Sequence, residues 1–414
     1  MPAHPPSDSP QRLPLQFWIV ASIAFINSVS FTIIIPTLYP YAKQFGLSDF
    51  QASLLTTAYS LSQFIGTPVL GQLSDRWGRK PLLVISLLGT VVSNLVAAVA
   101  GVPWLLFGAR ILDGITGGNN SVAQAVVSDI TSPEQRTQAF GIYSGLFRLG
   151  FVAGPPLSYV AQIVPPLPGI SSLGMSFLVS AVIALLAALL CFFFLPETQT
   201  EDPSEASPPQ RKIGLRDFNV IGLFTALRRP VVGRILLMTF LNGFTFTIFT
   251  FAFQPFFINV LGQDAKNLAI TFVAFGVLAF VSQVFALEPL RKRFNIITVL
   301  VAALVARGVL FMLMPALPNI VAFSFLIGLF GLVNAFPMPL IDSILSTRSS
   351  QQEQGEVLGL NASYLSMSNA IGPAVSGLLV TTSGYATPFW VAGALTVMIA
   401  VFAITLREPE AKAG

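Results

Sequence analysis

Arg110 and Asp113 stand three positions apart in ARILDGITGG (109–118), inside an otherwise apolar run. On a helix that spacing sets them on one face. Arg148 interrupts a second apolar run, and Asp75, Arg76, Arg79 and Lys80 crowd into GQLSDRWGRK (71–80). Placing an Asp or Arg in the middle of a lipid bilayer costs about 2.5–3.5 kcal/mol, so each needs a partner or a task. Desolvation favours the neutral form of a carboxyl, and an adjacent arginine favours the charged form. Those opposing influences bring Asp113 within reach of physiological pH, which is the chemistry of a proton carrier. Arg110 or Arg148 would be its partner; Arg148 is equally suited to holding an anionic substrate group in two hydrogen bonds. Other chemistries find no residues. His4 is the single histidine and lies near the N-terminus, Cys191 is the single cysteine, and no G-x-x-x-x-G-K phosphate loop, metal-ligand cluster or nucleophile motif occurs. No cofactor is expected, and the chain is not read as an enzyme.

The elements that carry these charges follow from composition. Of the 414 residues, 54% are hydrophobic and only 10% charged, against about 25% charged in a soluble protein. Apolar runs of about 20 residues match the thickness of a bilayer, and in lipid such runs must be helices to satisfy their own backbone. Twelve spans are predicted, near 15–40, 49–74, 81–101, 103–128, 137–163, 172–195, 231–260, 266–288, 295–315, 319–345, 355–381 and 386–406. The polar, Pro-rich stretch MPAHPPSDSPQRLP (1–14) is read as a cytoplasmic tail, with no cleavable signal. A second tail is read at 407–414. Of the 22 Lys and Arg, Lys43 and Lys266 fall in loops on one side, Arg110, Arg148 and Arg307 fall inside spans, and the rest lie on the other side. The positive-inside rule makes that side, with both termini, cytoplasmic. The net charge of +4 reflects this topology, so no nucleic-acid partner is expected.

One polar stretch inside the chain, ETQTEDPSEASPPQRKIGLRD (197–217), divides the spans six and six. It sets an N-terminal bundle at 15–195, a cytoplasmic linker at 196–230 and a C-terminal bundle at 231–406. The halves repeat. FGIYSGLFRLGFVAGP begins at Phe140 and LGLNASYLSMSNAIGP at Leu358, so Gly141 pairs with Gly359, Gly154 with Gly372 and Pro155 with Pro373, each 218 positions apart. The expected fold is an all-α membrane protein of two pseudo-symmetric six-helix bundles, an architecture of transporters with a site between the halves.

With these motifs in hand, the chain resembles the major facilitator superfamily. GQLSDRWGRK is similar to that family's loop between helices two and three, ARILDGITGG to its fourth-helix motif, and GFVAGPPLSYV (150–160) to its fifth-helix antiporter motif, with Ser158 and Tyr159 where a glycine pair is usual. The run 108–155 resembles the tetracycline-efflux and related drug:proton antiporters. The resemblance implies a conformational latch of Gly71, Asp75, Arg76, Gly78, Arg79 and Asp129, an antiporter motif of Gly150, Gly154 and Pro155, and a proton-coupling role for Arg110. It also implies a cavity lined by spans 1, 4, 5, 7, 8, 10 and 11. Polar candidates there are Asn27, Gln63, Asn120, Gln124, Asn242, Gln254, Asn334 and Asn361; aromatic ones are Phe147, Phe246, Phe249 and Tyr364. Such a pocket suits an amphiphilic organic molecule.

Asn27 departs from the tetracycline-type pattern, which has an aspartate there. An amide cannot titrate, so either Asp113 has taken over coupling or coupling is lost. The expectation is proton-coupled efflux of a lipophilic compound by a monomer in a bacterial cytoplasmic membrane. The alternative is a facilitator or symporter for a sugar or other small metabolite. Arg307, in span nine, is expected to pack against span eight or to snorkel toward the interface.

Overall fold

The computed structural model describes residues 13–199, 225–349 and 354–406. Most of the predicted linker and of both tails lies outside these residues. Within them the chain is helical, and sixteen helices make up the twelve expected spans. In the first half these are α1 (Leu15–Thr32) with α2 (Ile35–Gln44), α3 (Asp49–Trp77), α4 (Arg79–Ala98), α5 (Pro103–Thr116) with α6 (Asn119–Asp129), α7 (Pro133–Ile163) and α8 (Gly174–Phe194). In the second half they are α9 (Val232–Asn259), α10 (Ala265–Phe285) with the short α11 (Leu287–Arg293), α12 (Ile296–Ala316), α13 (Ile320–Asn334) with α14 (Pro337–Thr347), α15 (Gln354–Ser383) and α16 (Thr387–Ile404).

Local sequence sets the ends. Ser48 and Gln51 form a reciprocal capping box that starts α3. Asp264, Asn295 and Asn319 each cap a following helix with a side-chain oxygen. Proline opens the first turn of α5, α7, α14 and α16, where its missing N–H costs nothing. Two of the breaks within spans are themselves repeated. Gly117–Gly118 separates α5 from α6 and Ala335–Phe336 separates α13 from α14, again 218 positions apart.

Packing repeats as well. In the first half the α1–α2 span lies on α7 and α8, α4 on α8, and α3 on α5; in the second, α9 lies on α15 and α16, α12 on α16, and α10 on α13. The halves meet along α3 with α15 and along α7 with α10, which the same pseudo-twofold relates. Close contacts confirm the register. A Cβ on Gly154 would fall on Thr32 Oγ1, and one on Gly372 would fall on Thr247 Oγ1. Thr32 Oγ1 donates to the Gly150 carbonyl at 3.1 Å, and Thr247 Oγ1 donates to the Ser368 carbonyl at 3.2 Å. The glycines let each helix pair approach until a threonine hydroxyl reaches the neighbouring backbone, the small-residue packing that holds membrane helices together.

Eight spans are long and apolar enough to cross a membrane by composition alone. The other four, α3, α5–α6, α7 and α15, are more polar.

Candidate functional site

The signature loop lies where α3 turns into α4. Gly78 takes φ +94°, a backbone conformation that favours glycine. The turn aims Arg79 back across the end of the bundle, where its side chain binds Asp75, donates to Ser74 Oγ at 2.7 Å and donates from Nε to Asp129 Oδ2 at 3.0 Å. Asp75, Arg79 and Asp129 therefore meet, the contact that the family resemblance implied. The fourth member was not foreseen. Glu197, just past α8, accepts the backbone N–H of Arg79 at 2.9 Å and of Lys80 at 3.2 Å, occupying the open N-terminus of α4. Gln199 follows it and donates to the Asp75 carbonyl at 2.6 Å. Partial burial pushes the Glu197 carboxyl up, but the backbone N–H groups of Gln199, Arg79, Lys80 and Thr198 outweigh this and hold it below the usual glutamate range. Its only signal in the sequence was an acidic residue ending a span; its nearness to the start of α4 comes from packing. A Cβ on Gly71 would meet only Ser121 Oγ, at an ordinary contact of 3.7 Å.

Arg110 and Asp113 form a sealed pair. They are 3% and 4% exposed, and Arg110 Nη1 donates to Asp113 Oδ2 at 2.8 Å. The Tyr59 ring covers the guanidinium at 4.4 Å, and the Ser93 and Thr90 hydroxyls of α4 lie against the carboxylate. Gln63 ties Tyr59 to the break in the span by donating to Tyr59 Oη and to the Gly117 carbonyl, each at 3.1 Å. Among the described residues Arg110 Nε has no partner.

Arg148 stands apart from Asp113. It faces the second half, with Nη2 3.7 Å from Asp342 Oδ2. Asp342 Oδ1 accepts from Asn361 Nδ2 at 3.0 Å, and Asn361 Oδ1 accepts from Thr239 at 2.6 Å. A Cβ on Gly141, Gly145 or Gly359 would meet nothing within 4 Å, so α7 and α15 border open space toward their N-terminal ends. At the opposite end the halves touch. Asn259 donates to Tyr39 Oη at 3.0 Å, and Tyr39 donates to Asp49 at 2.6 Å. Lys43 also reaches Asp49, at 3.0 Å.

The cavity candidates fall into separate groups. Asn27 donates to Asn119 at 3.2 Å, and Tyr143 donates to Asn120 at 2.6 Å, around a crevice of about 10 Å³ that Phe147 also lines. Across the interface, Phe246 and Phe249 line a second crevice with Phe253, Phe272, Phe275 and Phe330. Asn242 and Gln254 are buried with an unpartnered amide oxygen each. Tyr364 is packed into the second-half core, and Gln124 is exposed. Gly150 sits against Ser28, and Pro155 lies within α7.

Arg307 corrects the expectation of snorkelling. It is 1% exposed and points into the second half. It donates to Thr245 Oγ1 at 3.2 Å and to Asn334 Oδ1 at 3.5 Å, and it lies 5.8 Å from the Phe311 ring. Among the described residues no carboxylate pairs with it, and its Nε has no partner.

The family model for the Major Facilitator Superfamily matches residues 20–286 and 235–414. The class C tetracycline resistance protein of Escherichia coli is 29% identical over 398 residues, spanning 93% of this chain and 95% of that protein. Multidrug resistance protein 2 of Bacillus subtilis is 26% identical over 398 residues, spanning 96% of each. Among solved structures, the human organic anion transporter TETRAN aligns with a TM-score of 0.70 at 22% identity, over 94% of this chain and 100% of that one. The D-xylose–proton symporter aligns with a TM-score of 0.73 at 16% identity, over 96% and 98%. At these identities the structural likeness establishes the fold.

Proposed function

The chain belongs to the Major Facilitator Superfamily, and from that premise we propose that it exports an amphiphilic, drug-like organic compound in exchange for protons by alternating access. Tetracycline and multidrug resistance proteins related along nearly the whole chain support this reading. The bodies that rock are the two six-helix halves, 15–195 and 231–406. The signature loop lies on the cytoplasmic face with both termini, and the host is a bacterial cytoplasmic membrane. The protein works as a monomer.

The observation that carries the proton step is the buried Arg110–Asp113 pair. A proton on Asp113 would leave the Arg110 charge without its counter-ion in a site closed by α3, α4 and α5. An uncompensated buried charge is costly, so protonation would drive these helices to rearrange. That is the link a coupled carrier needs between proton binding and helix movement. Asn27 fits a packing role, since its amide is already bound to Asn119. Its lack of a titratable group favours a second reading, a facilitator.

Proteoliposomes with an imposed pH gradient and an internal pH dye separate the two. On adding tetracycline and a panel of lipophilic drugs, compound-triggered proton flux is expected in the wild type and not in Asp113→Asn. Compound movement without proton flux, unchanged in the variant, would establish the facilitator.

A further inference from the structure

Arg148 and Asp342 form the one ion pair among the described residues that joins the two halves. Arg148 comes from the middle of α7 and Asp342 from α14. Both side chains are partly open, 43% and 32% exposed. The contact is long, at 3.7 Å, beyond hydrogen-bond reach, and among the described residues Arg148 makes no side-chain hydrogen bond. Asp342 is anchored on its other oxygen by Asn361, itself held by Thr239. Helix geometry turns the two toward each other. Side chains lean toward their helix N-terminus, and α7 and α14 run in opposite directions across the bundle.

A half-exposed ion pair contributes little to stability, so this one is a poor brace for the halves. Its position is better suited to recognition. Each half offers one charge to the space between them, and in the resting arrangement each charge has only the other as its ionic partner. Resting on the transporter reading of this same cavity, we infer that Arg148 and Asp342 form a divided binding site for a zwitterionic substrate, whose acidic oxygens take Arg148 and whose basic group takes Asp342.

Charge counting supports the choice of class. A cation that takes Asp342 gains one pair, breaks one pair, and strands Arg148. An anion that takes Arg148 strands Asp342. A compound carrying both charges breaks one pair and makes two, leaving neither residue uncompensated when the halves part. Arg148 presents a planar donor fork suited to a carboxylate, while Asp342 has one free oxygen for an ammonium or iminium group.

Three xanthene dyes share one aromatic body and differ in charge. Rhodamine B carries a carboxylate and a delocalised cation, rhodamine B ethyl ester has that carboxylate esterified, and fluorescein is anionic. Fluorescence anisotropy with the purified full-length protein in detergent, at fixed neutral pH and without a gradient, reads binding alone. A failure of proton coupling would therefore leave the result unchanged, and a failure here would leave proton coupling untouched. The expected result is rhodamine B binding about tenfold tighter than its ethyl ester, the effect of one hydrogen bond between charged groups. Arg148→Gln should bring the two dyes to equal affinity, and Arg148→Lys should keep part of the preference. Asp342→Asn should remove the preference of rhodamine B over fluorescein. The wild-type comparison of acid with ester decides the matter even if a variant fails to fold. Equal affinities, no binding of any dye, or a preference that survives in folded Arg148→Gln would overturn the inference.

Discussion

Alanine at Gly154 and alanine at Gly372 should not be equally damaging, although the two glycines are repeat partners. Either new Cβ would fall on a threonine hydroxyl of the neighbouring helix, Thr32 or Thr247. The difference lies in the next atoms. At Gly154 these are the backbone Ile33 N and Thr32 C, both 2.8 Å away; at Gly372 they are Thr247 Cβ at 3.0 Å and the Phe244 carbonyl oxygen at 3.2 Å. Reaching an ordinary contact of about 3.5 Å requires α1 and α7 to part by roughly 0.7 Å, but α9 and α15 to part by only roughly 0.5 Å, the distance set by Thr247 Cβ. Overpacking costs about 1–3 kcal/mol, which puts Gly154→Ala at ~3 and Gly372→Ala at ~2. At roughly 2–4 °C per kcal/mol for a body of about 200 residues, the expected falls in Tm are ~6–12 °C and ~4–8 °C. Thermal unfolding followed by intrinsic fluorescence in detergent reads both. A second substitution sharpens the test. Thr247→Ala should restore part of the Gly372→Ala loss, since only the Thr247 Cβ and the Phe244 carbonyl then remain close, whereas Thr32→Ala should leave Gly154→Ala damaged, since the Ile33 backbone remains in the way. Equal losses, or rescue of both by removing the threonine, would refute the assignment of the clash to backbone.

Three further outcomes are expected. Glu197→Gln should lower Tm at neutral pH by removing the anion from the start of α4; because the folded carboxyl is held below its ordinary value of about 4.3, the wild-type advantage is complete above that value and disappears as pH falls through the lower folded one. A Tm difference that persists unchanged to acid pH would refute the capping role. Arg307→Met replaces a buried guanidinium with neutral partners by an apolar side chain of similar length, and should leave stability unchanged or raise it by about 1–4 kcal/mol; a clear drop in Tm would mean that Arg307 has a counter-charge. Tyr39→Phe keeps the ring against Phe251 but removes the hydroxyl that binds Asn259 and Asp49. A cysteine replacing the buried Ser53 should then react with external maleimide several-fold faster, Cys191 being buried; equal rates would show that this hydroxyl does not hold the end closed.

The spans, their number and the two-half repeat were readable because each depends on local quantities: run length, charge spacing and the fixed offset between glycines. The Arg110–Asp113 pair was readable for the same reason, since residues three apart on a helix must be neighbours. Arg79 with Asp75 and Asp129 needed the family likeness, because Asp129 arrives from another helix. Partners brought together only by packing were out of reach. Nothing in the sequence aims Arg148 at Asp342 or joins Tyr39 to Asn259. Arg307 was misjudged because α12 is apolar all round, so its sequence does not say which face looks inward.

The buried Arg307 also bears on how the chain is made. Membrane helices enter the bilayer in chain order. When α12 is released, Thr245 on α9 is already there, but Asn334 lies 27 residues further along and has yet to join. For that interval the guanidinium must be carried by its own helix. An arginine at mid-span opposes insertion by about 2.5–3.5 kcal/mol. The Ile, Leu, Val and Phe residues of α12, eleven in IITVLVAALVARGVLFMLMPA, each favour it by about 0.3–0.6 kcal/mol, or roughly 3–7 kcal/mol together. The margin runs from about zero to about 4 kcal/mol in favour of insertion. The apolar excess of this helix thus serves biogenesis as well as the finished fold, and thinning it would strand the nascent chain before its second partner has been synthesised.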